Sequence, residues 1–103
     1  MRLQGKTALV TGSTSGIGLG IAKAFAAEGA NIIINGFGEA DAIEAERAAL
    51  TMLNGGKAVY DGADLTKPDE IEAMFQRADK DMGGVDILVN NAGMQFVSPV
   101  EDF

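Results

Sequence analysis

The residues Thr7-Ala8-Leu9-Val10 run directly into Thr11-Gly12-Ser13-Thr14-Ser15-Gly16-Ile17-Gly18, and a helix-forming stretch continues from the last glycine. A strand that breaks on glycines and restarts as a helix leaves the first N–H groups of that helix unpaired, with a partial positive charge at the strand's carboxyl end. Glycine lets the main chain approach a bound group closely, so this order predicts a cradle for an anion such as a pyrophosphate. It also confines the chain to folds built from strand–helix–strand units.

The rest of the sequence repeats that unit. Lys6 to Val10 reads as a first strand. From Ile17 to Glu28, Ile17, Ile21, Ala24 and Phe25 fall at helical spacing and Gly29 stops the helix. Ile32-Ile33-Ile34 is apolar without alternation, as expected of a parallel strand covered on both faces. Glu39 to Leu53 reads as a second helix with Ile43, Arg47 and Leu50 on one side, ended by Asn54-Gly55-Gly56, and Ala58-Val59-Tyr60 as a third strand. Thr66 is the expected N-cap of a third helix, with Pro68 in its first turn and Asp69 three residues on. Ile71, Met74, Phe75, Ala78 and Met82 form its inward stripe, Gly83-Gly84 end it, and Val85 to Val89 reads as a fourth strand. Right-handed crossovers then predict an α/β fold: a parallel sheet in the order 3-2-1-4, helices on both faces, with a ligand site at the winding reversal between the first and fourth strands. Residues 1–103 are expected to form one partial dinucleotide-binding domain of Rossmann type, truncated after the fourth strand.

Composition narrows the partners. With no cysteine and no histidine, the chain has no disulfide, no imidazole for acid/base chemistry and none of the usual zinc ligands, so no metal site is expected. A net charge of -7 argues against a nucleic-acid binder, which needs clustered Lys and Arg. The polar start Met1-Arg2-Leu3-Gln4-Gly5-Lys6 carries neither an export signal nor a membrane span, and a cytoplasmic setting fits the absence of cysteine.

Gly12, Gly16 and Gly18 are spaced G-x-x-x-G-x-G, and Asn90-Asn91-Ala92-Gly93 follows the fourth strand. Together, at these two topological positions, the motifs resemble those of the short-chain dehydrogenase/reductase family. The resemblance implies NAD(P)H chemistry on a carbonyl or alcohol. It places Gly12, Thr14, Ser15, Gly16, Ile17 and Gly18 around the pyrophosphate, Asp64 and Leu65 beside the adenine, and Asn90, Ala92 and Gly93 along the ribose and nicotinamide side. Structural roles stand beside these: Asp64 at the start of the third helix, and the Asn90 amide as a tie between strands.

Within the family, the runs Ile34-Asn35-Gly36-Phe37-Gly38, Tyr60-Asp61-Gly62-Ala63-Asp64-Leu65 and Asn91-Ala92-Gly93-Met94-Gln95, with Val100-Glu101-Asp102-Phe103, resemble the group of bacterial D-3-hydroxybutyrate dehydrogenases. That likeness covers essentially the whole chain. It implies oxidation of D-3-hydroxybutyrate to acetoacetate by a homo-oligomeric enzyme, with Gln95 meeting the substrate carboxylate through its neutral N–H₂, or else standing as a solvated loop residue. The alternatives are another short-chain reductase, such as one acting on a 3-oxoacyl thioester, and a non-catalytic nucleotide-binding module. Where NAD sites carry an acidic residue and NADP sites recruit a basic one, this chain has Asn35-Gly36-Phe37, and the glycine loop has no Lys or Arg to meet a 2′-phosphate. NAD is therefore the expected cofactor, with Phe37 an apolar neighbour of the adenosine.

The family's reaction uses a serine and a Tyr-x-x-x-Lys pair in which the ammonium favours the phenolate. Tyr60 is the sole tyrosine and Asp64 stands four residues on, where a carboxylate disfavours the phenolate. No catalytic residue is assigned. The chain is expected to be inactive alone and to leave its fourth strand as an unpaired edge.

Overall fold

The computed structural model describes residues 3–14, 16–54 and 57–91, and the backbone of Val97–Pro99. The elements are β1 (Thr7–Val10), α1 (Gly16–Ala27), β2 (Asn31–Ile34), α2 (Ala40–Asn54), β3 (Ala58–Tyr60), α3 (Pro68–Met82), β4 (Ile87–Val89) and β5 (Val97–Pro99). The strands form one sheet in the order β3-β2-β1-β4-β5. β1 pairs in parallel with β2, Val10 opposite Ile34, and with β4, Val10 opposite Val89, so the 3-2-1-4 core of the expected sheet is present.

The fourth strand is not an edge. β5 pairs with it antiparallel, Val89 opposite Val97 and Ile87 opposite Pro99. The link between them, residues 90–96, is too short for a right-handed crossover, which takes a dozen residues or more, so the return is antiparallel.

Side chains alternate along the central strands and divide the core in two. Ala8, Val10, Ile32, Ile34 and Val89 pack with Ala22 and Ala26 of α1 and Ile43 and Leu50 of α2 on one face. Leu9 and Ile33 pack with Met74 and Ala78 of α3 on the other. The expected stripes of α2 and α3 point inward as read. That of α1 does not: its buried positions are Gly18, Ala22 and Ala26, while Ala24 is exposed and Ile17 is 64% exposed. Small residues at i, i+4 and i+8 let the helix axis approach the sheet, and the bulkier Ile21 and Phe25 pack from its flanks.

The start of α3 also differs from expectation. Lys67, not Thr66, is the N-cap and makes no side-chain cap bond, with Pro68 opening the helix. Thr66 is held one step earlier, because its N–H (2.9 Å) and hydroxyl (2.7 Å) both donate to Asp64 Oδ1. Glu70 Oε1 accepts the Asp64 N–H at 2.9 Å, so the first turn of α3 reaches back to the loop. The helix ends as expected on Gly83, left-handed at φ 77°. β4 is shorter than read, because Asp86 is used to fix its approach: Thr7 N–H donates to Asp86 Oδ2 at 2.8 Å and Asp86 N–H to Thr7 O at 2.9 Å. No described helix is long and apolar enough to cross a membrane.

Candidate functional site

A cleft of about 900 Å³ opens at the carboxyl ends of the parallel strands. Thr11, Gly12 and Thr14 bound it after β1, Asn35, Gly36 and Phe37 after β2, Ala63 to Thr66 after β3, and Asn90 and Asn91 after β4. Ile71, Met74 and Phe75 of α3, with Leu88, give it an apolar wall. The cleft therefore lies where the winding of the sheet reverses, and the family of loops that line it is the expected one.

The glycine loop is shaped by two requirements. Gly12 and Gly16 take left-handed backbone at φ 62° and 61°, which side chains with a Cβ disfavour. Gly18 is excluded from any larger residue by contact, since a Cβ there would lie 2.1 Å from Gly12 O and 2.7 Å from the Asn91 amide nitrogen. Asn91 Nδ2 donates to Gly12 O at 3.2 Å, tying the loop after β4 to the loop after β1. Its Oδ1 is buried without a hydrogen-bond partner among the described residues. Thr11 Oγ1 lies 3.3 Å from both Val89 O and Asn90 Oδ1, so the strand tie expected of Asn90 runs through Thr11 as well.

A second lock joins the glycine loop to the end of β2. Ser13 is fully buried; its hydroxyl donates to Val10 O at 2.5 Å and accepts the Asn35 N–H at 3.0 Å, while Ser13 N–H donates to Asn35 O at 2.6 Å. Asn35, 2% exposed, spends its side-chain amide on Asp61 O (2.9 Å) and Ala63 O (3.1 Å). It thus fixes the loop after β3 from the end of β2. In the sequence Asn35 stands out for its lack of charge and within a run that carries the resemblance; the signal for this role is an amide directly after a buried strand, where orphan carbonyls of a neighbouring loop need donors. Asp61 completes that loop by a bidentate pair with Arg77 of α3, both contacts 2.8 Å.

Of the residues expected at the site, Gly12, Thr14, Phe37, Asp64, Leu65 and Asn90 line the cleft together. Gly16 opens α1 beside it, Ile17 points largely to solvent, and Gly18 packs beneath Gly12 rather than lining the wall. Ser15, Ala92, Gly93 and Gln95 lie outside the described residues. Tyr60, set aside as a catalytic group, donates its hydroxyl to Gly36 O at 2.6 Å.

The electrostatics are lopsided. Asp64 is the one ionisable group among the described lining residues, and hydrogen bonds from the Thr66 hydroxyl and N–H hold its carboxyl below the ordinary 3.8. At neutral pH it is a carboxylate. No group of His, Cys, Asp or Glu among the described residues could hold a metal ion. The anion-favouring element is the N-terminus of α1, whose first turn has no acidic residue. At Gly16 the space a Cβ would take is open, so the helix start is unobstructed. These features fit a dinucleotide: a pyrophosphate at α1, an apolar wall for a base and uncharged groups at the ribose end.

Comparison with known proteins places this arrangement among relatives. Residues 6–103 match the family described as short chain dehydrogenase. Over 101 residues, 98% of its length, the chain is 64% identical to a D-beta-hydroxybutyrate dehydrogenase of Cupriavidus necator. Over 98 residues, 95% of its length, it is 52% identical to one of Rhizobium meliloti. It spans 38% of the length of each. Among solved structures, a short chain dehydrogenase from Burkholderia cenocepacia in complex with NADP superposes with a TM-score of 0.83 at 44% identity, covering 91% of this chain and 38% of that one. L-sorbose reductase from Gluconobacter frateurii, complexed with NADPH and L-sorbose, gives 0.81 at 38% identity, over 91% of this chain and 35% of that one.

Proposed function

Because the chain belongs to the short chain dehydrogenase family, whose members use NAD or NADP, we propose that its cleft is the NAD site of an enzyme oxidising D-3-hydroxybutyrate to acetoacetate. The chain resembles the D-beta-hydroxybutyrate dehydrogenases at 52% and 64% identity, which supports a hydroxy acid as substrate. Bound in the cleft, the nicotinamide would supply hydride transfer. The residues of this chain bind and orient. The N-terminus of α1, with Gly12, Thr14, Ser15, Gly16, Ile17 and Gly18, takes the pyrophosphate. Asp64 and Leu65 flank the adenine, Phe37 meets the adenosine, and Asn90, Ala92 and Gly93 border the ribose and nicotinamide. Gln95 offers its amide to the substrate carboxylate. No residue of the chain carries the proton transfer, because the Tyr-x-x-x-Lys pair is absent from it.

The observation that carries NAD over NADP is the charge of the lining. Asp64 is its only described ionisable group, and Thr14 and Asn35 to Phe37 bring no cation to the ribose end. A 2′-phosphate would enter without the charge-assisted bonds that ordinarily hold it. The NADP(H) bound by the two structural relatives belongs to proteins only 44% and 38% identical. Calorimetric titration of the chain tests the reading. NAD should bind roughly tenfold or more tightly than NADP, the size expected of one absent charge-assisted contact. Equal affinities would overturn the choice of NAD, and no heat from either at millimolar concentration would overturn the nucleotide site itself.

A further inference from the structure

The Gly36–Phe37 segment carries no side chain able to read a ribose by charge, yet it is held from two directions. Tyr60, at the end of β3, donates its hydroxyl to Gly36 O at 2.6 Å. Thr14, in the glycine loop, donates to Phe37 O at 2.8 Å. Added bulk at either adjoining glycine would press on these hydroxyls. A Cβ on Gly36, whose φ is 149°, would lie 2.8 Å from Thr14 Oγ1, and one on Gly62 would lie 2.9 Å from the Tyr60 hydroxyl.

The consequence concerns one peptide unit. Gly36 C=O and Phe37 N–H belong to the same planar group, and the described chain contains no cis bond, so the two point in opposite directions. A hydroxyl that fixes the carbonyl therefore fixes the N–H as well, and polarises it by cooperative hydrogen bonding. Phe37 N–H has no acceptor among the described residues, although Gly36 and Phe37 both line the cleft. With both carbonyls of the segment occupied by protein hydroxyls, the polar groups left without a partner among the described residues at this corner, the Gly36 and Phe37 N–H, are donors, and their natural complement is an uncharged oxygen.

Resting on the NAD reading above, we propose that Tyr60 is a positioning residue for ribose recognition: by holding Gly36 O it aims the Phe37 N–H at a hydroxyl of the adenosine ribose. The main chain then does the work for which other dinucleotide sites use an acidic side chain. Tyr60 itself touches no nucleotide. Its separation from the catalytic role follows from the same bond, because its hydroxyl proton is committed to Gly36.

The test uses the full chain, Tyr60→Phe, and two probes, ADP and 2′,3′-dideoxy-ADP, followed by amide resonances. In the nucleotide-free chain, Tyr60→Phe should move the Phe37 amide proton upfield while distant core amides stay in place. Affinity for ADP should fall about 3- to 10-fold, the range of one ordinary hydrogen bond, and affinity for the dideoxy probe should not change. An equal loss for both probes would mean that Tyr60 merely braces the loop, and would overturn the proposal. An unmoved Phe37 amide would overturn it in the absence of any nucleotide. Failure of ADP to bind the unaltered chain would instead strike the nucleotide reading, which the amide measurement does not depend on.

Discussion

On the face covered by α1 and α2, eleven buried residues, Ala22, Ile34 and Leu50 among them, are flanked by four partly buried ones, whereas on the face covered by α3, six buried residues, Leu9 and Met74 among them, stand with five partly buried ones, including Val59, Phe75 and Leu88. Among the described residues the sheet is covered more fully on the first side than on the second. Two helices, one of them brought close by Gly18, Ala22 and Ala26, exclude water from the first face and hold the strand ends in register. The second face keeps apolar surface available, and Phe75 and Leu88 form part of the cleft wall. Rigidity and binding surface are thus supplied by opposite sides of one sheet, which lets the loops be fixed without filling the space they surround.

Matched truncations on the two faces should differ in their cost. Leu50→Ala on the first face should destabilise the chain by about 2–5 kcal/mol, the range for emptying a packed site, read from urea unfolding. Phe75→Ala on the second face should cost roughly half as much, although the side chain is larger, because part of its surface is already in water. Equal losses would show that the two faces are filled alike. The smallest effect should come from the loop at the edge of the second side. Because Thr66 lowers the Asp64 pKa below its value in the unfolded chain, Asp64 contributes stability above the unfolded value and loses it as pH falls through the folded one. The gap in thermal midpoint between the unaltered chain and Asp64→Asn should be present at pH 7 and close as pH falls below the ordinary carboxylate range. A gap persisting in acid would assign the effect to shape rather than charge.

How far the sequence could be read depended on the size of the signal at each position. The order of the four parallel strands followed from punctuation by glycine and runs of β-branched residues, and α3 from the regular stripe Ile71, Met74, Phe75, Ala78 and Met82. The inward face of α1 was misread because bulk was used as the sign of burial, while close approach selects Gly18, Ala22 and Ala26 for their lack of it. The cap of α3 was misplaced by one residue because Asp64 competes for the Thr66 hydroxyl, a tertiary detail that spacing does not reveal. Asn35 and Ser13 were invisible for a related reason. Their hydrogen bonds span 22 to 28 positions in sequence, so no local pattern marks them. The cleft itself was placed correctly because topology alone decides where the winding reverses.

The position of β1 has a consequence for the order in which the chain can assemble. As the central strand of the sheet it has two edges to satisfy, and they are met at very different times. One pairs with β2, Ala8 opposite Ile32, after a single intervening helix. The other waits for β4, and the bond that fixes the approach of that strand, Thr7 to Asp86, joins residues 79 positions apart. A chain emerging from synthesis therefore carries β1 half paired until β4 has been made, its second backbone edge open to any strand that arrives first. Long-range closure of this kind slows folding and prolongs the interval in which intermolecular pairing competes.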